Sequence, residues 1–406
     1  MSIFNSLGSN YRLSEVLLSC CQLLDKGNKS YQKIIKQLEQ FYQGKATFLF
    51  NGRDAIEYCL KAYGVKSGDQ VLTQAFSCSS IEESIQRVGA KAVYFDLAPG
   101  KVKTSSAQIK EAFLKATNPK AVILQHTLGY SDEVDEITKL CHQNDLILIA
   151  DLAQAVGAVG LDGSCLGLES DAIVLSFGRD KILDAVVGGA VIFRETKNKP
   201  EVYPPIPSNK KNLLLLHLYP CLTFKIRLFY NLGVGKILHW LCLKANLIQT
   251  SIKSPHFHYQ AYPKKFSRLL LDRWCHLDKQ LEHRCQIATI YLKNLKEVDK
   301  IKLLVNQTEV KQGTNLRFPL LLDSKKSIQS LIVYLADHGI YLSDRWYRQP
   351  VDSGSLDFES DYVLGSCPEA ELLSKRVINL PTHQNLNPEQ AERISKLIIN
   401  WSKLQS

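Results

Sequence analysis

Short apolar segments alternate with amphipathic segments through the first half of this chain, and this alternation constrains the fold more than any other feature. The apolar segments have the length of strands, and the amphipathic segments have the period of helices. The predicted strands are 46–50, 70–73, 92–95, 121–125, 146–150 and 172–175, and the predicted helices are 53–62, 79–88, 106–116 and 133–143. Strands separated by helices in this way form a mostly parallel sheet covered on both faces. The sequence therefore predicts the α/β class, and 406 residues are enough for two domains.

Chemically useful side chains follow two of these strands. Asp151 comes directly after the strand 146–150, and Ser176 and Lys181 come after the strand 172–175. Because the carboxyl ends of parallel strands meet at one edge of the sheet, we expect these three residues to lie together. Many α/β enzymes hold pyridoxal phosphate (PLP) with such a pair: the lysine bonds to the cofactor, and the carboxylate keeps the ring nitrogen protonated. Alone, Asp151 could be a helix cap and Lys181 a surface lysine, but together they indicate chemistry on an amino group.

A third element is predicted at the same edge. The strand 46–50 leads into Asn51, Gly52 and Arg53, where a glycine at the turn opens a helix. The N–H groups at a helix N-terminus can hold an anion, and Arg53 adds positive charge there. A phosphate group fits this arrangement, although a plain helix cap would explain the same residues.

Composition narrows the class of protein. The chain has 50 Lys and Arg against 40 Asp and Glu, with the basic residues spread along the sequence rather than gathered in one run. This balance favours anionic partners, but no nucleic-acid-binding motif is present. The eleven cysteines show no Cys-x-x-Cys pairing and no spacing typical of metal ligands. The chain also begins without a secretory signal pattern, so we expect a cytoplasmic enzyme with reduced thiols and no metal.

Two apolar segments, 213–224 and 237–248, lie among basic residues. Each is shorter than the roughly 18 residues that a membrane span needs, and Pro220 interrupts the first. We interpret them as two buried or subunit-interface helices. The alternative is a pair of helices lying on an anionic membrane.

The order of motifs resembles the DegT/DnrJ/StrS-type aminotransferases from about Phe50 to Ile398. The motifs that carry the resemblance are 51–55, 64–71, 89–96, 126–130, 151–158, 176–181, 188–191, 380–383 and 389–390. The resemblance implies the type I fold of PLP enzymes, with a mostly parallel sheet of seven strands between helices and a smaller C-terminal α+β domain. It places residues 1–255 in the large domain, with a divergent segment at 200–255, and residues 256–406 in the small one.

The resemblance also implies an activity and the roles of individual residues. It predicts a homodimeric aminotransferase that transfers an amino group from an amino acid to a keto-sugar in polysaccharide, cell-envelope or secondary-metabolite sugar biosynthesis. Glutamate is the first candidate for the amino donor. Lys181 and Asp151 are the implied catalytic residues. The implied cofactor-binding residues are Asn51, Gly52, Arg53, Phe76, Asp151, Gln154, Ser176 and Lys181. Among them, Phe76 is the candidate to face the cofactor ring, while counting from Asp69 puts the family's usual aromatic position at Cys78.

The chain departs from the family pattern at the phosphate turn. It has Asn51-Gly52-Arg53 where most of the family has Ser-Gly-Thr, and the stretch 262–265 lacks the asparagine that reaches the phosphate from the neighbouring subunit. We therefore hypothesise that Arg53 supplies within its own subunit the contact that the partner has lost. Two alternatives to the main prediction are a PLP-dependent lyase or non-sugar aminotransferase, and a catalytically idle relative with a binding or membrane role.

Overall fold

The structure, a computed structural model, describes residues 2–22, 27–160, 162–208, 213–248, 258–342, 345–354 and 358–405. In chain order, the strands are β1 (Ile3–Phe4), β2 (Gly44–Leu49), β3 (Gln70–Gln74), β4 (Lys91–Phe95), β5 (Pro119–Gln125), β6 (Ile147–Asp151), β7 (Ala172–Ser176), β8 (Gly189–Arg194), β9 (Ile301–Leu303), β10 (Arg317–Leu322), β11 (Ile340–Tyr341) and β12 (Val377–Pro381). The α-helices are α1 (Leu13–Cys21), α2 (Asn28–Tyr42), α3 (Gly52–Ala62), α4 (Ser79–Arg87), α5 (Ser106–Lys115), α6 (Val134–Gln143), α7 (Leu213–Leu228), α8 (Val234–Lys244), α9 (Ser267–Cys275), α10 (Leu277–Leu295), α11 (Gln307–Gln312), α12 (Lys325–Asp337), α13 (Pro368–Arg376) and α14 (Pro388–Leu404).

The large sheet has seven strands in the order β2-β8-β7-β6-β5-β3-β4. The strands from β3 to β7 are parallel, whereas β8 is antiparallel to β7 and β2 is antiparallel to β8. This confirms the predicted α/β class and the mostly parallel sheet. The segment between β7 and β8 connects two neighbouring strands at the same end without crossing the sheet, so β8 runs antiparallel to β7. The first predicted strand, β2, pairs with β8 and forms one edge of the sheet.

The centre of this sheet is covered on both faces. All residues of β6 and β7 are buried, as the near-continuous apolar runs predict. Helices α3 and α4 pack on one face, and α5 and α6 pack on the other. Successive residues of β5 point to opposite layers, with Ile123 in the first and Leu124 in the second. This layering leaves the carboxyl ends of β5, β6 and β7 as the edge at which polar side chains collect.

A second, smaller sheet is formed by β9, β10 and β12 in antiparallel order. Helices α10, α12 and α14 pack with it in one hydrophobic core. The N-terminal strand β1 pairs with β11 in parallel, so the beginning of the chain is attached near the smaller sheet. The domain boundary predicted between residues 255 and 256 lies in 249–257, outside the described residues.

The two apolar segments form the hairpin α7–α8, which we define as residues 213–248. Helix α7 buries one side, including Tyr219, Thr223 and Ile226, but α8 buries only Gly235 and Cys242. Helix α8 is therefore not buried within its own subunit, because its apolar residues point mostly to solvent. Its interpretation as a subunit-interface helix stays a prediction. Among the described residues, we find no helix with the length and apolar character needed to cross a bilayer.

Candidate active site

A cavity of about 520 Å³ opens at the carboxyl ends of β6 and β7. Seven of the eight residues predicted for the site line it: Asn51, Gly52, Arg53, Asp151, Gln154, Ser176 and Lys181. The strand order brings them together because β6 and β7 are neighbours and α3 begins beside the end of β7. The geometric prediction of one shared edge is confirmed.

The N-terminus of α3 forms one end of this site. The Asn51 side chain accepts a hydrogen bond of 2.8 Å from the Asp54 N–H and so caps the helix. A Cβ atom added to Gly52 would lie 3.1 Å from both Cβ and Oγ of Ser176. The helix start and the serine hydroxyl are therefore in close approach, which the glycine permits. A helix N-terminus beside a hydroxyl donor is a suitable site for a phosphate.

Arg53 lines the same part of the cavity and is nearly buried. Its Nε atom lies 2.7 Å from Oε2 of Glu83, whose other oxygen is 2.6 Å from Nη2 of Arg87. Burial lowers the pKa of the Arg53 guanidinium, and the charge of Glu83 opposes this shift. The arginine is thus held by a carboxylate of α4, a contact that the sequence pattern did not reveal.

Asp151 is buried at the end of β6, and its Oδ1 accepts a hydrogen bond of 2.9 Å from the Ala153 N–H. Burial raises the pKa of its carboxyl group, while that hydrogen bond and the charges of Lys181 and His126 act in the opposite direction. A buried carboxylate in this position gains from a cationic group beside it. The protonated ring nitrogen of PLP is such a group.

His126 was not among the predicted site residues. It follows β5, is fully buried, and places Nδ1 3.1 Å from Oδ2 of Asp132. Its position after a strand end, next to the strand that carries Asp151, was the available signal. His126 therefore belongs to the buried polar groups that surround the Asp151 carboxylate.

Lys181 extends into the cavity beside an aromatic ring. Its Nζ lies 4.9 Å from the centre of the Trp346 ring, and the guanidinium carbon of Arg317 lies 3.9 Å from the same ring centre. Burial lowers the pKa of the Lys181 amine, and the charge of Asp151 opposes this shift. A lower pKa increases the fraction of neutral, nucleophilic amine at a given pH.

Gln154 and Tyr347 also line the cavity. Gln154 donates to the Tyr347 hydroxyl at 2.6 Å and accepts from the Leu128 N–H at 2.7 Å. Phe76, predicted to face the cofactor ring, does not line the cavity: it is fully buried and packs edge-on against Tyr347 at 5.2 Å. Cys78, two residues later, lines the cavity instead. The loop turns the Phe76 side chain into the core.

The loop that carries Lys181 is fixed by Asp184, which is fully buried. The Asp184 carboxylate accepts hydrogen bonds from the Asp180 N–H at 2.9 Å, from the Val186 N–H at 3.1 Å and from Nδ2 of Asn10 at 3.2 Å. The Tyr11 hydroxyl also donates to it. Asp180 and Val186 have backbone φ angles of 63° and 72°, which residues other than glycine rarely adopt. The carboxylate thus stabilises an unusual turn around the lysine.

Asn10 connects this loop to the rest of the protein. Its Nδ2 also donates to the Lys181 carbonyl at 3.2 Å. Its own oxygens accept from Arg273 at 2.9 Å, from Arg284 at 3.1 Å and from Gln384. Neither Asn10 nor Asp184 was predicted from the sequence, because they act on the lysine loop through contacts between distant parts of the chain.

Comparison with known proteins agrees with this geometry. A family model, the DegT/DnrJ/EryC1/StrS aminotransferase family, matches residues 7–203 and 267–398. The chain belongs to this family. It is therefore a PLP-dependent aminotransferase, and the resemblance inferred from the sequence motifs is confirmed. The family match omits residues 204–266, which include the hairpin α7–α8.

Individual relatives support the assignment. The chain is 28% identical to a pleiotropic regulatory protein of Geobacillus stearothermophilus over 351 residues, which cover 86% of this chain and 83% of that protein. It is 29% identical to the GDP-perosamine synthase of Vibrio cholerae over 147 residues, 36% of this chain and 39% of that one. The PLP form of Spr1654 from Streptococcus pneumoniae has the same fold, with a TM-score of 0.74 at 18% identity over 100% of this chain and 99% of that one.

The residues of this aminotransferase fit its cofactor. The cavity offers a helix N-terminus with the Ser176 hydroxyl for a phosphate, a buried carboxyl group at Asp151 for a ring nitrogen, and an amine of lowered pKa at Lys181 for an aldehyde carbon. Phosphate, ring nitrogen and aldehyde are three of the functional groups of PLP.

Proposed function

We propose that this aminotransferase transfers the amino group of an amino acid to a keto-sugar derivative used in polysaccharide or cell-envelope sugar biosynthesis. Glutamate is the first candidate for the amino donor. The observation that carries the proposal is the convergence of Lys181, Asp151 and Ser176 on one cavity beside the N-terminus of α3. Family membership supports the sugar acceptor, since the relatives include a GDP-perosamine synthase.

In this proposal Lys181 and Asp151 are the catalytic residues. The Nζ atom of Lys181 would hold the cofactor and, as a free amine, would move the proton that leaves the substrate carbon. When bound, PLP supplies an electron-accepting ring that stabilises the charge left at that carbon. Asp151 would hold the proton on the ring nitrogen, and Gln154, whose side chain is fixed by its hydrogen bond to Tyr347, would contact the ring. The side of the cavity formed by Asn51, Gly52, Arg53 and Ser176 holds the phosphate.

The charges around the cavity support acidic substrates. Arg179, Arg345 and Arg348 line it in addition to Arg53. Arg345 donates to the Val377 carbonyl at 3.0 Å, and Arg348 lies 3.4 Å from the carboxylate of Asp352, so both have defined positions. A cavity with several guanidinium groups suits the carboxylates of glutamate and the phosphates of a nucleotide-linked sugar.

We also propose a homodimer in the cytoplasm. The homodimer is supported by the family resemblance, in which the site lies at a subunit interface. All eleven cysteines lie among the described residues and are free, which supports a reducing compartment.

The proposal can be tested with the purified protein loaded with PLP. Glutamate should bleach the yellow absorbance of the bound cofactor between about 300 and 500 nm and release 2-oxoglutarate. Nucleoside-diphosphate keto-hexoses should then restore the band and yield an aminated sugar, whereas simple 2-keto acids other than 2-oxoglutarate should not. Restoration by keto acids alone would favour the non-sugar aminotransferase. Product formation without amino transfer would favour a lyase.

Gly52→Ala is expected to lower PLP affinity about tenfold. The added methyl group would lie 3.1 Å from Cβ and Oγ of Ser176 and would separate the serine from the helix start, at a cost typical of overpacking, about 1–3 kcal/mol. The measurement is a titration of the apoenzyme with PLP, followed by absorbance. Gly178→Ala is the matched control, because its methyl group would lie at an ordinary 3.6 Å from Oγ of Ser176. Equal affinities for both variants would contradict a phosphate site at Gly52.

A further inference from the structure

The net charge of this chain is concentrated in one segment. Between Glu201 and Asp272 the sequence has ten Lys and Arg and neither Asp nor Glu. Removing these ten from the totals of 50 basic and 40 acidic residues leaves 40 against 40, so the remainder has no net charge. Individual basic residues are spread along the chain, but the whole excess of +10 lies between these two acidic residues.

The same segment carries an exposed apolar surface. Of the 22 large apolar side chains that are exposed among the described residues, ten lie in the hairpin α7–α8. They are Leu214, Leu228, Phe229, Leu232, Val234, Ile237, Trp240, Leu241, Leu243 and Leu247. Ile237 and Trp240 are 61% and 57% exposed, on a helix of 11 residues. Clustered apolar side chains of this kind mark an interaction surface.

The hairpin is firmly attached to the protein. On α7, Thr223 is fully buried, and a Cβ atom added to Gly8 would lie 2.2 Å from its Oγ1. Arg227 donates to the Tyr11 carbonyl at 2.7 Å. At the start of α8, a Cβ atom added to Gly235 would lie 2.3 Å from the Ile226 carbonyl oxygen, so the two helices are in close contact. The exposed side chains thus stand on a fixed support.

Lysine side chains lie beside aromatic rings on the hairpin α7–α8. Lys225, Lys236 and Lys244 are exposed. The Nζ of Lys244 lies 5.0 Å from the centre of the Trp240 ring, and the Nζ of Lys236 lies 5.7 Å from that of Tyr230. Apolar residues with lysines and a tryptophan are typical of helices that lie in the boundary between lipid headgroups and acyl chains.

We propose that the hairpin α7–α8 docks on an anionic lipid bilayer, with Ile237 and Trp240 inserted among the lipids and Lys225, Lys236 and Lys244 at the headgroups. A second copy of the hairpin is a poorer occupant, because two hairpins that met across a twofold axis would bring like charges together. A nucleic acid would bind the charges but leave the apolar side chains exposed. The proposal is independent of which acceptor the enzyme uses.

Docking would place the active site at the membrane surface. Tyr219, Tyr230, His239 and Leu243 of the hairpin line the cavity that contains Lys181. A helix is about 10–12 Å across with its side chains, so the cavity would lie within about that distance of the headgroups. Because the family match excludes residues 204–266, this surface is a property of this chain rather than of the matched family pattern.

Vesicle sedimentation of the PLP-loaded enzyme tests the proposal. The protein should bind vesicles that contain phosphatidylglycerol, should bind phosphatidylcholine vesicles far less, and should dissociate as salt is raised. K236Q/K244Q should weaken binding about 30-fold, since each basic residue near an anionic surface contributes about 1 kcal/mol. K396Q/K403Q, which changes two exposed lysines of α14, is the matched control and should stay within about twofold.

Apolar variants distinguish lipid from other partners. I237S/W240S should abolish vesicle binding and leave the glutamate-dependent bleaching unchanged, since neither residue lines the cavity. Retained binding in this variant would identify a general polyanion surface and overturn the proposal. So would conversion of a dimer to a monomer by the same variant without lipid, measured by light scattering, because the surface would then be a subunit interface. Failure of the unaltered enzyme to bind anionic vesicles would overturn it without any variant.

Discussion

Lys181→Ala is expected to abolish transamination, with a loss of at least about 10³-fold in the rate of the glutamate half-reaction. The substitution removes both the amine that binds PLP and the group that moves the substrate proton, and general acid–base catalysis alone contributes about 10²–10⁴-fold. The yellow band of the bound cofactor should also change or disappear. Both effects can be measured on one sample, by an absorbance spectrum and by single-turnover kinetics with glutamate.

A matched control for this variant is Lys244→Ala. Lys244 also holds its Nζ over a tryptophan ring, at 5.0 Å compared with 4.9 Å for Lys181, but it lies outside the cavity. Its removal should leave the spectrum and the half-reaction unchanged. A Lys181→Ala enzyme that kept the band and most of the rate would show that another amine binds the cofactor, and the assignment of Lys181 would be wrong.

Asp184→Ala is expected to destabilise the protein by about 4 kcal/mol and to weaken cofactor binding. It leaves buried donors on Asn10, Tyr11 and the backbone of the lysine loop without an acceptor, and each such group costs about 1–3 kcal/mol. It also removes the contacts that hold the positive φ angles of Asp180 and Val186. Urea unfolding of the apoenzyme measures the first effect, and titration with PLP measures the second.

The control for Asp184→Ala is Asp145→Ala. Asp145 also adopts a positive φ angle and pairs with Lys197, but its side chain is 88% exposed, so its loss should change the stability far less than the loss of Asp184. Asp184→Asn keeps the size of the side chain and should fall between the two. If Asp184→Ala lowered stability but left the PLP affinity and spectrum unchanged, Asp184 would support the fold without positioning Lys181.

The sequence predicted those features that depend on local periodicity. Every predicted strand and helix of the first half is present within two residues of its predicted ends, because burial in a layered sheet imposes the same pattern on each segment. Asp151, Ser176 and Lys181 could be assigned to one edge for the same reason: the residue after a parallel strand always lies at its carboxyl end.

Other features depend on contacts between distant residues and left no local pattern. Phe76 and Cys78 are both plausible next to a strand end, and the packing of Tyr347 against Phe76 decides which of them lines the cavity. The contact of Arg53 with Glu83 depends on how α3 and α4 pack together. The ion pair with Glu83 does not contradict the hypothesis that Arg53 also contacts the cofactor phosphate. That hypothesis stays a prediction.

The contacts of Asn10 have a consequence for the synthesis of this protein. Asn10 connects the lysine loop to Arg273, Arg284 and Gln384. These three partners are translated long after Lys181. At about 5–20 residues per second, the chain from Asp184 to Gln384 takes about 10–40 s to translate. The growing polypeptide can form its seven-stranded sheet during this time, but its lysine loop lacks full support. Truncation before residue 384 should therefore impair cofactor capture, although every residue proposed to touch the cofactor would be present.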